Sequence, residues 1–130
     1  MNRPSKQEED FTRRPWGNYK KLFQESGVWV KRVEVNPGCR LSLQKHAKRS
    51  EKWVIVKGSG LAIVNQHAIA VAPGMVVDVL LGAVHRIGNT GDGHLVFIEV
   101  AYGSYLGEDD IYRIEDDYNR LKDNSKRGKG

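Results

Sequence analysis

The chain has 130 residues, of which 39% are hydrophobic and 28% charged, a length and composition typical of one globular domain. No apolar run approaches the roughly 20 residues that span a membrane, so we predict no membrane partner. The net charge is +5, but residues 122–130 alone carry four Lys/Arg against one Asp, and no basic stretch is interleaved with aromatics as on base-stacking surfaces. We therefore predict no nucleic-acid partner.

The two ends of the chain differ from its middle. Residues 1–12 are polar and lack the apolar core of a secretion signal, and residues 122–130 are polar and basic. We expect both to be disordered tails that flank one domain at 13–121. The single Cys39 cannot form an intramolecular disulfide, which agrees with a reducing compartment, so the predicted location is the cytoplasm.

Short stretches of alternating apolar residues follow one another through the domain, separated by turn signals such as Pro73-Gly74. They predict strands over 19–24, 28–35, 41–46, 53–57, 60–65, 67–71, 75–80, 85–88 and 95–102. With no long helical pattern between them, these strands indicate an all-β antiparallel sandwich or barrel. We expect the segment from Gly107 to Ile111 to open a short irregular or helical C-terminal segment.

One charged residue lies on the apolar face of a predicted strand. In the strand 28–35, Lys31 shares a face with Trp29 and Val33. If that face is the interior, the ammonium group needs a paired charge or a bound anion. The alternative is a lysine at a strand end that reaches back to water.

A cluster of polar residues occupies the next predicted strand and the turn after it. Gln44 and His46 are two residues apart, which places both side chains on one face of a strand. A hairpin folded at 47–50 would bring Glu51 back beside His46 and would place Arg49 at the mouth of the site. An amide, an imidazole and a carboxylate would then form most of a metal site. The alternative is a polar strand face exposed to water.

A second stretch completes a pattern with the first. The first reads Gly38-x5-Gln44-x-His46-x4-Glu51-x6-Gly58, and the second reads Gly74-x5-Leu80-x-Gly82-x2-His85-x3-Asn89. Together they resemble the two motifs of the cupin family. Gln44 stands at the family's first ligand position, and Leu80 stands where proline is usual. The resemblance implies that His85 is the missing ligand.

A longer resemblance covers roughly residues 13–120. The segments that carry it are Arg14-Pro-Trp-Gly-x-Tyr19, the inward Lys31, the stretch from Pro37 to Trp53, and Gly103-x-Tyr-Leu-Gly-Glu-Asp-Asp-Ile111-x-Arg113. They are similar to the type II phosphomannose isomerase domain, a single-domain cupin, that is, a double-stranded β-helix or jelly-roll barrel. That domain is best known as the C-terminal part of bifunctional guanylyltransferase/isomerases. Since nothing like a guanylyltransferase precedes it here, we expect the stand-alone form.

The resemblance implies a metal-dependent isomerase that interconverts mannose 6-phosphate and fructose 6-phosphate through an enediol. The implied ligands of one divalent ion (zinc, manganese, iron, cobalt or nickel) are Gln44, His46, Glu51 and His85. The catalytic candidates are Lys31, Arg49 and Asp109, and the substrate-binding candidates are Lys31, Arg49, Tyr102, Glu108 and Arg113. We expect the segment that contains Glu108 to close over a sugar-phosphate substrate, and we expect a homodimer.

Three departures from the family pattern support another interpretation. Lys52 replaces a histidine, Ala101 replaces a glutamine, and Leu80 replaces the usual proline. The alternative they favour is a non-catalytic cupin that binds a sugar or nucleotide-sugar for a partner enzyme. A metal-dependent dioxygenase fits the ligands but not the Arg-Pro-Trp-Gly and Glu-Asp-Asp-Ile segments.

Overall fold

Two antiparallel sheets make up the fold in the computed structural model, which describes residues 10–120. The strands are β1 (Phe11–Arg14), β2 (Gly17–Glu25), β3 (Val28–Val35), β4 (Leu43–Lys45), β5 (Arg49–Lys57), β6 (Gly60–Val64), β7 (His67–Val71), β8 (Val76–Val79), β9 (His85–Asn89), β10 (Leu95–Gly103) and β11 (Tyr112–Glu115). One sheet has the order β1-β2-β3-β10-β5-β8, and the other has the order β11-β4-β9-β6-β7. The all-β prediction is confirmed.

The core lies between the two sheets because each strand alternates inward and outward residues. Along β3 the residues are alternately buried and half-buried, as the sequence predicted, and the inward set includes Trp29, Lys31 and Val33. The apolar core cluster joins Trp53 and Phe97 of one sheet to Ile87 and Ala62 of the other. These inward faces continue into the polar cavity described below, so the same alternation that builds the core also positions the site.

The nine predicted strands are present, and two further strands were not predicted. β1 and β11 have four residues each, and their sequences, FTRR and YRIE, are too short and too polar to show an apolar alternation. Between β10 and β11 the chain forms an irregular segment with a turn, and residues 10–120 contain no helix. The structure therefore resolves the predicted choice between an irregular and a helical segment in favour of the irregular one.

The hairpin predicted at 47–50 is wrong. β4 pairs with β9 and β11, whereas β5 pairs with β10 and β8 in the other sheet. The segment after β4 is thus a corner that carries the chain from one sheet to the other. Its backbone is held by the Asp110 carboxylate, which accepts hydrogen bonds from the N–H groups of Ala47 (2.9 Å) and Lys48 (3.0 Å). Glu51 consequently faces His46 across the interior rather than along one sheet.

The predicted tails lie mostly outside the described part of the chain. Residues 1–9 and 121–130 are not described, and β1 begins at Phe11, two residues before the predicted start of the domain at 13. Within the described residues, no helix has the length and apolar character needed to cross a membrane.

A glycine at the β5–β6 corner offers a test of the fold. Gly58 has a φ of +86°, and a Cβ atom there would lie 2.5 Å from the carbonyl oxygen of His94. We expect Gly58→Ala to lower the free energy of unfolding by about 2 kcal/mol or more, since backbone strain and a backbone clash add. Gly74 is the matched control: its φ is +94°, but a Cβ atom would meet nothing within 4 Å. Chemical denaturation should show a clearly smaller loss for Gly74→Ala, and equal losses would contradict the prediction.

Candidate functional site

Three buried side chains with metal-binding atoms converge between the sheets. His46 follows β4, Glu51 lies on β5 and His85 begins β9. One donor atom from each lies within 4.8 Å of the others, and each residue is at most 3% exposed. His46 Nε2 and Glu51 Oε2 are 3.3 Å apart, and the two imidazole ring centroids are 4.9 Å apart. The structure therefore brings together three of the four predicted ligands as one cluster, which we call the triad.

Neighbouring groups hold the triad side chains in orientation. Nδ1 of His46 lies 2.6 Å from the carbonyl oxygen of Asp110, and Nδ1 of His85 lies 2.9 Å from that of Ala83. A carbonyl only accepts, so each Nδ1 carries the proton and each Nε2 keeps its lone pair for the interior. The Trp53 indole donates to Glu51 Oε1 at 2.9 Å. Histidines that ligate a metal usually have their other ring nitrogen held by a hydrogen bond of this kind.

The protonation states of the three triad side chains suit the binding of a cation. Burial lowers the pKa of His46 to about 4, with further lowering by Arg49 and His85 against the opposing effect of Glu51. Burial likewise lowers the pKa of His85. Burial acts to raise the pKa of Glu51, but the Arg49 guanidinium, joined at low pH by the protonated imidazoles of His46 and His85, outweighs it and lowers that pKa below its ordinary value. Two neutral imidazoles and a carboxylate are a donor set that fits a divalent ion.

Gln44, the fourth predicted ligand, is buried beside the triad. It pairs with His85 in the β4–β9 register and lines the same cavity. Its amide nitrogen donates to Ser42 Oγ at 2.9 Å, which leaves its carbonyl oxygen as the end suited to a metal ion. Gln44 as the fourth ligand stays a prediction.

Arg49 lies deeper than predicted. It is only 8% exposed, because the corner after β4 turns its side chain inward instead of presenting it at the mouth. Its Nε donates to Glu51 Oε2 at 2.9 Å, and its Nη2 lies 3.3 Å from His46 Nε2. Nη1 has no hydrogen-bond partner among the described residues. Arg49 thus balances the charge of Glu51 and retains a donor for a further group.

Lys31 is buried and paired. It is 4% exposed, and its ammonium group lies 2.7 Å from Glu108 Oε2. The same nitrogen lies 3.7 Å from the ring centre of Trp29 and 4.1 Å from that of Tyr19. Burial lowers the pKa of Lys31 in spite of the raising effects of Glu99 and Glu108. Of the two alternatives left open by the sequence, the structure supports the paired charge.

The triad, Arg49 and Lys31 line one cavity of about 110 Å³, to which strands of both sheets contribute. Eight predicted site residues line it: Lys31, Gln44, His46, Arg49, Glu51, His85, Glu108 and Arg113. The aromatic residues Trp16, Tyr19 and Trp53 line it as well. Its wall therefore combines metal-binding, cationic and aromatic groups.

Two predicted site residues do not lie at this cavity. Tyr102 is on the outward face of β10, where its side chain is 40% exposed, because the inward positions of that strand are Glu99 and Ala101. Asp109 lies in the segment after β10, and its carboxylate accepts a hydrogen bond from the Tyr105 hydroxyl at 2.6 Å. The carboxylate of this segment that lines the cavity is Glu108, and the carboxylate of Asp110 holds the corner after β4.

Sequence reasoning also missed Glu99. This carboxyl group lines the cavity, lies opposite Lys31 in the β3–β10 register and accepts a hydrogen bond from the Trp29 indole at 2.7 Å. Burial raises the pKa of Glu99, with a further contribution from Glu51, so the group holds a proton more readily than an exposed glutamate. A signal was available, since Glu99 shares the apolar face of its strand with Phe97, just as Lys31 does in β3.

A family model and known proteins match this chain, and the matches agree with one another. Residues 1–116 match the family model described as mannose-6-phosphate isomerase C-terminal. The xanthan biosynthesis protein XanB of Xanthomonas campestris is 42% identical over 107 residues, which are 82% of this chain and 23% of that protein. The mannose-1-phosphate guanylyltransferase ManC of Salmonella typhimurium is 41% identical over 108 residues, 83% of this chain and 22% of that protein. The chain thus spans about a quarter of the length of these relatives.

Solved structures confirm the fold. The capsular polysaccharide assembling protein CapF of Staphylococcus aureus superposes with a TM-score of 0.72 at 22% identity, over 81% of this chain and 34% of that one. A cupin-2 domain protein, Rru_A2000 of Rhodospirillum rubrum, gives a TM-score of 0.61 at 26% identity, over 72% of this chain and 67% of that one. The predicted cupin fold is confirmed.

The relatives overturn the predicted activity. The names of XanB and ManC refer to the synthesis of xanthan and to guanylyl transfer. The name of a third relative, the alginate biosynthesis protein AlgA of Pseudomonas aeruginosa, likewise refers to polysaccharide synthesis; it is 41% identical over 107 residues, which are 82% of this chain and 22% of that protein. The predicted mannose-6-phosphate isomerase activity, and with it the classification of the chain as that enzyme, is therefore wrong.

Proposed function

Because the chain belongs to the mannose-6-phosphate isomerase C-terminal family, we propose that it is a non-catalytic cupin that binds a sugar phosphate or nucleotide-sugar for a partner enzyme. The observation that carries the proposal is the composition of the cavity wall, in which the triad faces the cations Lys31 and Arg49. Hydroxyl groups of a sugar suit a metal ion and hydrogen-bond donors, and phosphate groups suit the cations. The name of ManC, a mannose-1-phosphate guanylyltransferase, supports mannose derivatives as the ligand class.

A metal ion fits the proposed site. His46, Glu51 and His85, with the Gln44 carbonyl, would hold one divalent ion of the zinc, manganese, iron, cobalt or nickel group. When bound, the ion supplies a Lewis-acidic anchor for a sugar oxygen. The Nη1 group of Arg49 is a donor with no hydrogen-bond partner among residues 10–120, and it would serve the same ligand.

The state of the cavity carboxyl groups favours binding over catalysis. Glu51 is paired with Arg49 and Trp53, Glu99 with Trp29, and Glu108 with Lys31. A proton-transfer reaction at a sugar carbon needs a base within hydrogen-bond reach of the carbon-bound proton. In the structure each of these three carboxyl groups is engaged by a neighbouring donor, and we therefore assign the wall to recognition.

Isothermal titration of the metal-reconstituted protein with mannose 1-phosphate and GDP-mannose tests the proposal. We expect binding in the micromolar range, equivalent to about −8 kcal/mol, that disappears in the His46→Ala/His85→Ala double variant. We also expect no conversion of mannose 6-phosphate. Absence of binding by the metal-reconstituted protein to both ligands would overturn the proposal, and so would equal binding by the double variant.

A further inference from the structure

A carboxylate of the protein itself lies among the cations of the cavity wall. Glu108 Oε2 is 2.7 Å from Lys31 Nζ and 3.2 Å from the Tyr19 hydroxyl. The Tyr19 hydroxyl in turn accepts a hydrogen bond from Arg14 Nη2 at 3.3 Å. All four residues line the cavity. One oxygen of Glu108 thus receives two donors, and Arg14 is one hydrogen bond away.

We propose that Arg14, Tyr19 and Lys31 form a subsite for the phosphate group of the ligand, and that Glu108 occupies this subsite until the phosphate displaces it. This inference rests on the proposed function, because it assigns the phosphorylated end of the ligand to one wall of the same cavity.

The two partners of the central ion pair differ in their surroundings. The Lys31 side chain is 5% exposed and lies on β3 in the middle of a sheet, whereas the Glu108 side chain is 49% exposed and lies in the irregular segment after β10. The cation is therefore fixed and shielded, and the carboxylate can leave toward solvent. Once it leaves, the buried ammonium needs another anion, since an uncompensated charge in this position is costly.

The segment that carries Glu108 is anchored by a different residue. Asp110 holds the corner after β4 through two backbone N–H groups, and its own backbone N–H donates to the Gly107 carbonyl at 3.1 Å. These contacts do not involve the Glu108 side chain. The carboxylate can therefore rotate out while the segment stays attached.

Other nearby carboxyl groups do not take over the role of Glu108. Glu51 is paired with Arg49. Glu99 lies opposite Lys31 and acts to raise its pKa, but its carboxyl group is held by the Trp29 indole, so it does not replace the hydrogen bond from Lys31 to Glu108. A phosphate monoester carries up to two charges and three free oxygens, so it can contact Lys31, Tyr19 and Arg14 at once. Glu108 reaches only the first two directly. The exchange thus replaces a carboxylate that contacts two of the three groups with a phosphate that can contact all three.

Titration of the Glu108→Gln protein with inorganic phosphate and with mannose 1-phosphate tests the inference. We expect both to bind about tenfold more tightly than to the wild type, because the competing charge is gone, and we expect unphosphorylated mannose to bind unchanged. The Lys31→Met variant should bind mannose 1-phosphate no better than mannose. Circular dichroism checks that each variant is folded, and Tyr19→Phe, expected to weaken phosphate binding severalfold, is the milder substitute if Lys31→Met does not fold.

Asp78→Asn is the matched control. Asp78 is also a half-exposed carboxylate paired with a lysine, Lys52, but it lies on the outer face of β8. We expect its removal to leave phosphate affinity unchanged. Weaker binding of mannose 1-phosphate by Glu108→Gln would overturn the inference, since Glu108 would then contact the ligand. Failure of the wild type to bind any sugar, with a gain of phosphate binding in Glu108→Gln, would reject the proposed function and keep the subsite.

Discussion

The Glu51→Gln protein is expected to lose about 3 kcal/mol or more of its free energy of unfolding and to retain no divalent ion after reconstitution. Glu51 is 3% exposed and Arg49 is 8% exposed, and their side chains are joined at 2.9 Å. The substitution keeps the size of the side chain but leaves the guanidinium buried without a counter-charge. The amide also turns a donor toward Arg49 Nε or toward the Trp53 indole, both of which are donors themselves.

A double variant separates the two effects of this substitution. Glu51→Gln/Arg49→Met removes both charges, and replacement of a buried ion pair by neutral groups is often close to neutral for stability. We expect the double variant to recover most of the lost free energy in urea denaturation, while elemental analysis still finds no bound metal. A loss below about 1 kcal/mol in Glu51→Gln would contradict the prediction, and so would a double variant less stable than the single one.

The alternation of apolar residues was sufficient to predict the β-fold and to place Lys31 on one strand face with Trp29 and Val33. It is a local signal, and a strand buried on one face must show it. The same rule predicts that Gln44 and His46 share a face, which the structure confirms. It fails for β1 and β11, because four polar residues at a sheet edge are held by pairing with a neighbour rather than by burial.

The convergence of His46 with Glu51 was predicted for a wrong reason. A hairpin and a corner between sheets both reverse the chain within a few residues, and the local sequence does not distinguish them. Asp110, about sixty residues away, favours the corner over the hairpin, because its carboxylate holds the backbone of the corner. Contacts of this kind depend on the whole topology.

The activity was the least predictable property of the chain. Metal ligands on a cupin establish what can be bound, and the reaction depends on a base placed at the right atom. In this cavity the carboxyl groups of Glu51, Glu99 and Glu108 are engaged by neighbouring donors. Side-chain pairing of this type is invisible in a motif, so resemblance alone assigned a chemistry that the relatives' names then corrected.

A pH dependence is expected to arise from His46. Its pKa is about 4 in the folded protein, below the ordinary 6.5, because burial disfavours the imidazolium. The contribution of this group to stability is therefore fully present above pH 6.5 and is lost as the pH falls toward 4. Over that window the metal-free protein should lose roughly 3 kcal/mol through His46 alone. Glu99 acts in the opposite direction. Because its pKa is raised, its contribution to stability is present at low pH and is lost as the pH rises through the pKa of Glu99.

The comparison with His46→Gln tests this contribution, together with the effect of His46 on its neighbours Glu51 and His85, while the burial of Glu99 is common to both proteins. Urea denaturation of the metal-free proteins between pH 7 and pH 4 should give a profile for His46→Gln that falls less steeply than that of the wild type by roughly 3 kcal/mol. His67→Gln, which replaces an exposed imidazole on β7 by an amide, is the matched control for the substitution. Parallel profiles for His46→Gln and the wild type would mean that His46 takes up a proton equally well in the folded and unfolded chains. The triad would then lose its neutral imidazole already near pH 6.5 rather than near pH 4.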